Sequence, residues 1–406
     1  GETGNGVSAT NPELYFIPTS LTINAATTTG GTYGIYADND GTGALSITTT
    51  GTTTGTTKDG IYANNSSAGT SLTINAATTK GSNYGIKADN NGTGALSITT
   101  TGTTTGTTKD GIFANNSSAG ASLTINAATT TGGVNGIKAA NSGTGALSIT
   151  TTGTTTGTVG DGIDATISSA NSSSDITINA ATTTGGAYGI YAANYGTGAL
   201  NITTSGAITG GTGYGIRTRT SANKTTNITL NSGTVVSSTA GLGIFNNAGN
   251  SITTVNTGAS VAGKIVLGYG VDILNFAGGD FSDVTLFDGG AGTSDILKFS
   301  GSSGSVNSTL FSNWESVEIN DGSTIAFSNK ALTINTLGIN TGGTLNAVSG
   351  TFALTGNMSN SGTVNMADGD TGDKVTVSGN FSGSGAIKID VDTKANTSDQ
   401  LAIAGN

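Results

Sequence analysis

The stretch GIYADNDGTGALSITTTG, residues 34–51, decides the reading of this chain. It returns as GIYANNSSAGTSLTINAATTKG over 60–81, GIKADNNGTGALSITTTG over 85–102 and GIFANNSSAGASLTINAATT over 111–130. Its Gly-Ile pair places Ile at 35, 61, 86, 112, 137, 163, 190, 216 and 244, in steps of 26, 25, 26, 25, 26, 27, 26 and 28. A second anchor, the LTI or LSI triplet, begins at Leu21, Leu45, Leu72, Leu96, Leu123, Leu147, Ile176, Leu200 and Ile228. Two steps close a near-identical block of 51 residues, as Leu21 to Leu72 and Leu72 to Leu123 show. A fixed period of this size marks a repeat architecture.

Each unit holds two short strands and a Thr-rich segment. In LTI, Leu21 and Ile23 share a face that Thr22 opposes, and Ile35 and Ala37 do the same in GIYA. The residues between have turn composition, and no window keeps a helical period. One such strand pair cannot bury its apolar face alone, whereas stacked copies can. The fold expected is therefore all-β, a single elongated right-handed parallel β-helix (a solenoid) of roughly 16 rungs about 4.8 Å apart. Leu then stacks on Leu, Ile on Ile and outward Thr on Thr, whose hydroxyl can bond the next rung. Gly34, Gly60 and Gly85 read as corners, where a side chain clashes or φ is positive.

The one-rung register has a signature in the charges. The residue before the corner reads Tyr33, Asp59, Tyr84, Asp110, Asn135, Asp161, Tyr188, Tyr214, with no two Asp adjacent. The outward column after the Ile reads Tyr36, Tyr62, Lys87, Phe113, Lys138, Asp164, Tyr191, Arg217, Phe245, with no two Lys adjacent. Like charges one rung apart repel, so a stacked ladder needs this spacing.

Composition agrees. Of 406 residues, 67 are Gly, 2 are Pro and 9 % are charged, which fits thin strands and many turns. Collagen needs Pro and a G-X-Y period, and disorder needs fewer apolar residues than the 34 % found here. Cys and His are absent, so disulfides, thiolate metal sites and the commonest general base are excluded. A net charge of −10, thinly spread, disfavours nucleic acid and anionic membrane surfaces as partners. The start GETGNGVSAT has no basic or apolar run, so a signal peptide is expected to have been removed or left out. No stretch reaches the length of a membrane helix.

The regular repeats occupy 21–250, after a segment, 1–20, that contains ELYFIPTS and reads as a cap or docking strand. Irregular rungs of roughly 20 residues follow over 251–362, and a last β segment fills 363–406. Three motifs of the second half, DGGAGTSDILKFSG (288–301), FSNWESVEI (311–319) and GDKVTVSGNFSGSGAIKIDVD (372–392) with TSDQLAIAGN (397–406), resemble the C-terminal passenger region of bacterial autotransporters, the type V secreted proteins. The last is similar to the autochaperone-like segment that precedes their membrane barrel. The resemblance implies a right-handed β-helix exported through the outer membrane and displayed on, or released from, the cell surface. It also implies adhesion or self-association, as in cell aggregation and biofilm. The chain departs from the pattern in stopping at Asn406 without barrel strands, so attachment to a membrane is expected only through a barrel outside this sequence.

Candidate chemistry is sparse. GGAGTSDIL, from Gly289, approaches the calcium nonapeptide, but Ser294 holds the ligand place and Asp295 follows it. GGDFSDVTL keeps Asp283 in place and puts Phe281 where Gly is needed. These read as two Asp-bearing turns, and no metal or cofactor is expected. β-Helix polysaccharide hydrolases and lyases need convergent carboxylates. Asp38 with Asp40, Asp161 with Asp164, and Glu315 with Glu318 are the acidic candidates, and none forms a repeat-placed pair. Arg217 and Arg219 suit an acidic sugar but have no carboxylate pair beside them. The chain is not expected to be an enzyme. The binding candidate is the outward aromatic column Tyr36, Tyr62, Phe113, Tyr191 and Phe245, able to stack sugar rings or dock another fibre. Expected partners are copies of the chain on neighbouring cells or fibres, or a host or matrix protein or glycan. The competing reading is a filament subunit that stacks end to end through unpaired edges.

Overall fold

A computed structural model describes residues 3–12 and 19–405. Much of the proposed cap, residues 1–2 and 13–18, lies outside the described residues. Strand makes up 54 % of the chain, arranged as a parallel β-solenoid of about 16 turns. Among the described residues the only helix is one 3-10 turn, Ser308–Leu310, so no helix is long and apolar enough to cross a membrane. The chain forms two compact units: Gly1–Asn227 with Gly233–Asn247, and Ile228–Ser232 with Ala248–Asn406.

Each rung of the first unit carries three strands. An isoleucine sheet begins Val7–Asn11, Ile35–Asn39, Ile61–Asn65 and continues to Leu242–Asn246. A leucine sheet holds Leu21–Ala25, Leu45–Thr49 and Leu72–Ala76. The Thr-rich segment is itself a strand, building a third sheet from Thr28–Gly30, Thr52–Gly55 and Thr78–Gly81. Pairing is parallel and in register: Ile35 on Ile61, Ile61 on Ile86, Leu45 on Leu72. The interior is a set of like-on-like columns, with Ile35, Ile61, Ile86, Leu45 and Leu72 all fully buried.

Two buried columns are polar. The Asn of GIxAxN, fifth in the strand, points inward with Ile35 and Ala37, because side chains alternate along a strand. Asn39 Nδ2 donates to Asn65 Oδ1 at 2.7 Å, Asn65 to Asn90 at 2.8 Å, Asn90 to Asn116 at 2.8 Å and Asn116 to Asn141 at 2.9 Å. The other Nδ2 proton reaches a carbonyl of the following turn: Gly43 O from Asn39, Gly94 O from Asn90, Gly145 O from Asn141. Asn39, Asn90 and Asn116 thus tie strand to strand and strand to loop. Ile167 takes the place above Asn141 and ends the run.

The second column is Thr53, Thr79, Thr104, Thr130 and Thr155, all fully buried on the third sheet. Their hydroxyls meet no protein partner. The expected rung-to-rung bond forms instead at the turn that follows, where Thr107 and Thr108 donate to Gly81 O and Ser82 O. Inside, the Thr methyl is what packs. A Cβ built on Gly85 would lie 2.6 Å from Thr104 Cγ2 and 2.6 Å from Gly111 O. Close approach, then, is what requires glycine at these corners. Among the described residues of this unit, positive-φ glycines occur only at Gly233 and Gly241.

The second unit has shorter rungs and a different filling. Between Ile273 and Asn357, successive partners in its main sheet lie 20 to 23 residues apart. Phe276, Phe281, Phe287 and Phe299 form an inward aromatic cluster with centroids 5.0–6.0 Å apart. Phe311, Phe327 and Phe352 extend it. Trp314 Nε1 donates to Phe287 O at 2.9 Å. Larger side chains keep apolar burial per rung high with fewer residues. Turn glycines here do need positive φ: Gly258, Gly278, Gly301, Gly322 and Gly342 have φ of +68° to +80°.

Two substitutions test the polar columns. Asn90→Ala leaves Asn65 Nδ2, Asn116 Oδ1 and Gly94 O short of partners and is expected to cost about 2–4 kcal/mol in urea unfolding. Thr104→Val keeps the packing methyl and removes the lone hydroxyl. It is expected to raise stability by about 1 kcal/mol in the same measurement, as Ile208 and Val236 already occupy that column.

Candidate functional site

The outward column of the isoleucine sheet is built as its spacing required. Tyr36 pairs with Tyr62, Tyr62 with Lys87, Lys87 with Phe113 and Phe113 with Lys138. Asp164, Tyr191, Arg217 and Phe245 follow in register. All five aromatic residues are half-buried. Their covering comes from the residue before the corner glycine, which sequence reasoning placed in a separate column. Tyr33 lies 5.3 Å from Tyr36 and 5.6 Å from Tyr62. Tyr84 packs on Phe113, Tyr188 on Tyr191 and Tyr214 on Phe245 at 5.5, 5.9 and 5.0 Å. The signal was the Y-G-I-Y spacing at 33–36, where two rings straddle one corner.

The structure divides the column. Tyr36 and Tyr62 stack face to face, with centroids 5.1 Å apart and planes within 5°. Lys87 Nζ sits 5.0 Å from the Tyr62 centroid and 3.3 Å from Asp89 Oδ2. Phe113 lies between Lys87 and Lys138, and Lys138 pairs with Asp164 at 3.1 Å. Tyr191 and Phe245 are joined through Arg217, whose guanidinium lies 5.7 and 5.8 Å from their rings.

Burial raises the phenol pKa of Tyr36 and Tyr62, and drives that of Tyr191 up to about 12, with the Tyr195 hydroxyl adding to it. These phenols stay neutral at neutral pH. Burial works against the Lys87 charge, but Asp89 beside it leaves the pKa raised. The stripe therefore presents rings, hydroxyls and fixed cations, a surface suited to contact rather than proton transfer.

The acidic candidates separate. Asp161 sits at the corner, with its Oδ1 accepting Tyr188 N–H at 3.0 Å, while Asp164 points outward to Lys138. Glu315 Oε2 accepts Asp295 N–H at 2.7 Å, and Glu318 pairs with Lys298 at 3.2 Å. Asp38 Oδ1 accepts from Asn64 Nδ2 at 2.8 Å. Asp295, from the calcium-like turn, is fully buried, and its Oδ1 accepts Asp272 N–H at 2.8 Å. Asp272 Oδ1 in turn accepts from Ser251 N–H and Oγ–H, both at 2.6 Å. Carboxylates here tie rung to rung. Among the described residues no group of three His, Cys, Asp or Glu is placed to hold a metal.

Of the pre-corner acids, Asp59 and Asp110 are buried as well and Asp161 is half-buried. Asp110 Oδ1 accepts both N–H and Nδ2–H of Asn135 at 2.9 Å, and Asn135 Oδ1 accepts Asp161 N–H at 2.7 Å. Burial pushes the Asp161 pKa from 3.8 up to about 6, against the opposing bond from Tyr188 N–H. A carboxyl whose folded pKa exceeds its unfolded one destabilises the fold once ionised. Its penalty grows from pH 3.8 to about 6 and stays constant above. Asp161→Asn keeps an acceptor for Tyr188 N–H, as Asn135 does in its own rung. The variant is expected to melt above wild type at pH 7.5 and together with it at pH 3.5. Scanning calorimetry at both pH values checks this.

No protein-family model, curated protein or solved structure matches the chain in comparisons with each.

Proposed function

We propose that the chain is a passenger-type β-solenoid of a bacterial surface, acting in adhesion or self-association through lateral contacts of its rungs. One observation carries this reading. The outward positions of the leucine sheet form two columns without a single charge. The first runs Thr22, Ser46, Thr73, Ser97, Thr124, Ser148, Thr177 and Asn201. The second runs Asn24, Thr48, Asn75, Thr99, Asn126, Thr150, Asn179 and Thr203, in the same register. On a chain with net charge −10, such a face is where two copies meet with least repulsion. Hydroxyls and amides repeated about every 4.8 Å can exchange hydrogen bonds along the full contact. The motifs of the second half support the surface setting by their likeness to autotransporter passengers.

Thr73→Lys, Ser97→Lys and Thr124→Lys together place three cations on successive rungs of this face. The triple variant is expected to stay monomeric at concentrations where wild type associates, as read by sedimentation velocity. Wild-type association is expected to tighten with added salt, which screens the net charge. Association unchanged in the triple variant would overturn the assignment of this face.

End-to-end stacking has its own supporting observation. In the second unit, strands Ala386–Lys388 and Gln400–Ile403 each pair on one side among the described residues, and Ile387 and Ile403 are exposed. Negative-stain microscopy separates the readings: regular head-to-tail fibres favour stacking, and side-by-side bundles favour lateral contact.

A further inference from the structure

The chain has two arginines, Arg217 and Arg219, and both lie on one strand, Ile216–Thr220. They stand two residues apart, so both project from the outer face of the isoleucine sheet. Arg217 rests on the rings of Tyr188, Tyr191 and Phe245, and its Nη1 donates to the Tyr188 hydroxyl at 2.5 Å. Arg219 is exposed and lies over the ring of Tyr195, 5.1 Å from its centroid.

Neither is held in an ion pair among the described residues. Lys87 and Lys138, in the same column as Arg217, each hold a carboxylate, whereas among the described residues neither arginine pairs with one. The column that contains Arg219 shows why. It carries Asp38 and Asp89 in early rungs, then Ala140, Thr166 and Ala193 before Arg219. Acids have left this column before Arg219 enters it, and Asp164, in the column of Arg217, stands two rungs away with Lys138 as its partner. Arg also differs from Lys in offering a planar fork that matches a carboxylate and stacks on aromatic rings.

We propose that Arg217 and Arg219 form a binding site for the carboxylates of an acidic polysaccharide. Alternate residues of a strand stand about 6.6 Å apart at the backbone, so the two guanidinium groups rise from separate points of one face, which suits acids repeated along a polymer better than one small anion. The site lies on a sheet face, where backbone groups are already paired, so an added peptide strand finds no edge to extend. A sugar needs none. Its ring can rest on the exposed edge of Tyr195, 37 % accessible, while its carboxylate meets the guanidinium. Binding needs no catalytic pair, and none is placed beside the two arginines. The proposal supplies a ligand for the adhesive form of the function above and rests on that reading.

The probe is polygalacturonate, titrated onto the full chain by calorimetry, with its methyl-esterified form as the uncharged match. Wild type is expected to bind the acid form, more weakly as salt rises, and to ignore the ester. Arg219→Gln changes an exposed side chain and is expected to weaken binding about tenfold or more. Arg219→Lys keeps charge without the fork and is expected to recover only part of that loss. Circular dichroism melting confirms that each variant is folded. Equal binding of acid and ester, no binding of either, or full affinity in both variants would overturn the proposal. So would tighter binding of polyglutamate, which would assign the site to acidic polypeptides. Sedimentation of Arg219→Gln is expected to match wild type, so failure here is distinct from failure of lateral association.

Discussion

In-register stacking of parallel rungs is the constraint on which the first unit depends. Each interior position must suit the copy above and below it, not merely the core in general. Apolar residues meet the condition easily. A buried amide meets it only if every neighbour offers the complementary half, and Asn39, Asn65, Asn90 and Asn116 do so by handing a proton up the column, Asn39, Asn90 and Asn116 giving their other proton to the adjoining turn. A slip by one residue would bury Tyr36 and Tyr62 and expose Ile35 and Ile61, besides breaking every amide link. The amide ladder therefore fixes register more sharply than Ile and Leu alone. Gly34, Gly60 and Gly85 impose the same discipline from outside, since their neighbours leave no room for a Cβ.

The two units solve the burial problem differently. The first uses long rungs with small branched residues inside and puts its rings outside, where they cover the corners. The second uses shorter rungs and turns its phenylalanines inward. Polar ties differ accordingly. Amide on amide runs through the interior of the first, with carboxylates on backbone N–H at its corners, whereas in the second buried carboxylates on backbone N–H, as in Asp272 and Asp295, lie inside the stack. An amide can donate and accept in a self-similar stack. A carboxylate only accepts, so it suits rungs whose neighbours differ.

Much of this was legible in the sequence. The repeated phrase gave the period, and the spacing of Asp and Lys gave the one-rung register that pairs Ile35 with Ile61 and Tyr36 with Tyr62. The inward Asn was not read, because Asn next to Asp and Gly has turn composition. Its even spacing from Ile35 and Ala37 was the available clue. The third strand was hidden by Thr, which suits turns and strands alike. The pairing of Tyr33 with Tyr36 across a corner, and the burial of Asp295, depend on how the chain bends and required coordinates. The second unit was harder throughout, since its rungs do not repeat one another.

The alternation of acids before the corner carries a consequence for repeat number. Asp59, Asp110 and Asp161 occupy every second rung, and each leans on the residue between. Excising a single rung would set Asp59 directly against Asp110, two partly desolvated anions with no spacer. Excising a pair of rungs, the 51-residue block, restores the original neighbours. Length variants of such a chain are physically quantised in double coils: tandem duplication or loss in even steps preserves the fold's electrical pattern, and odd steps break it.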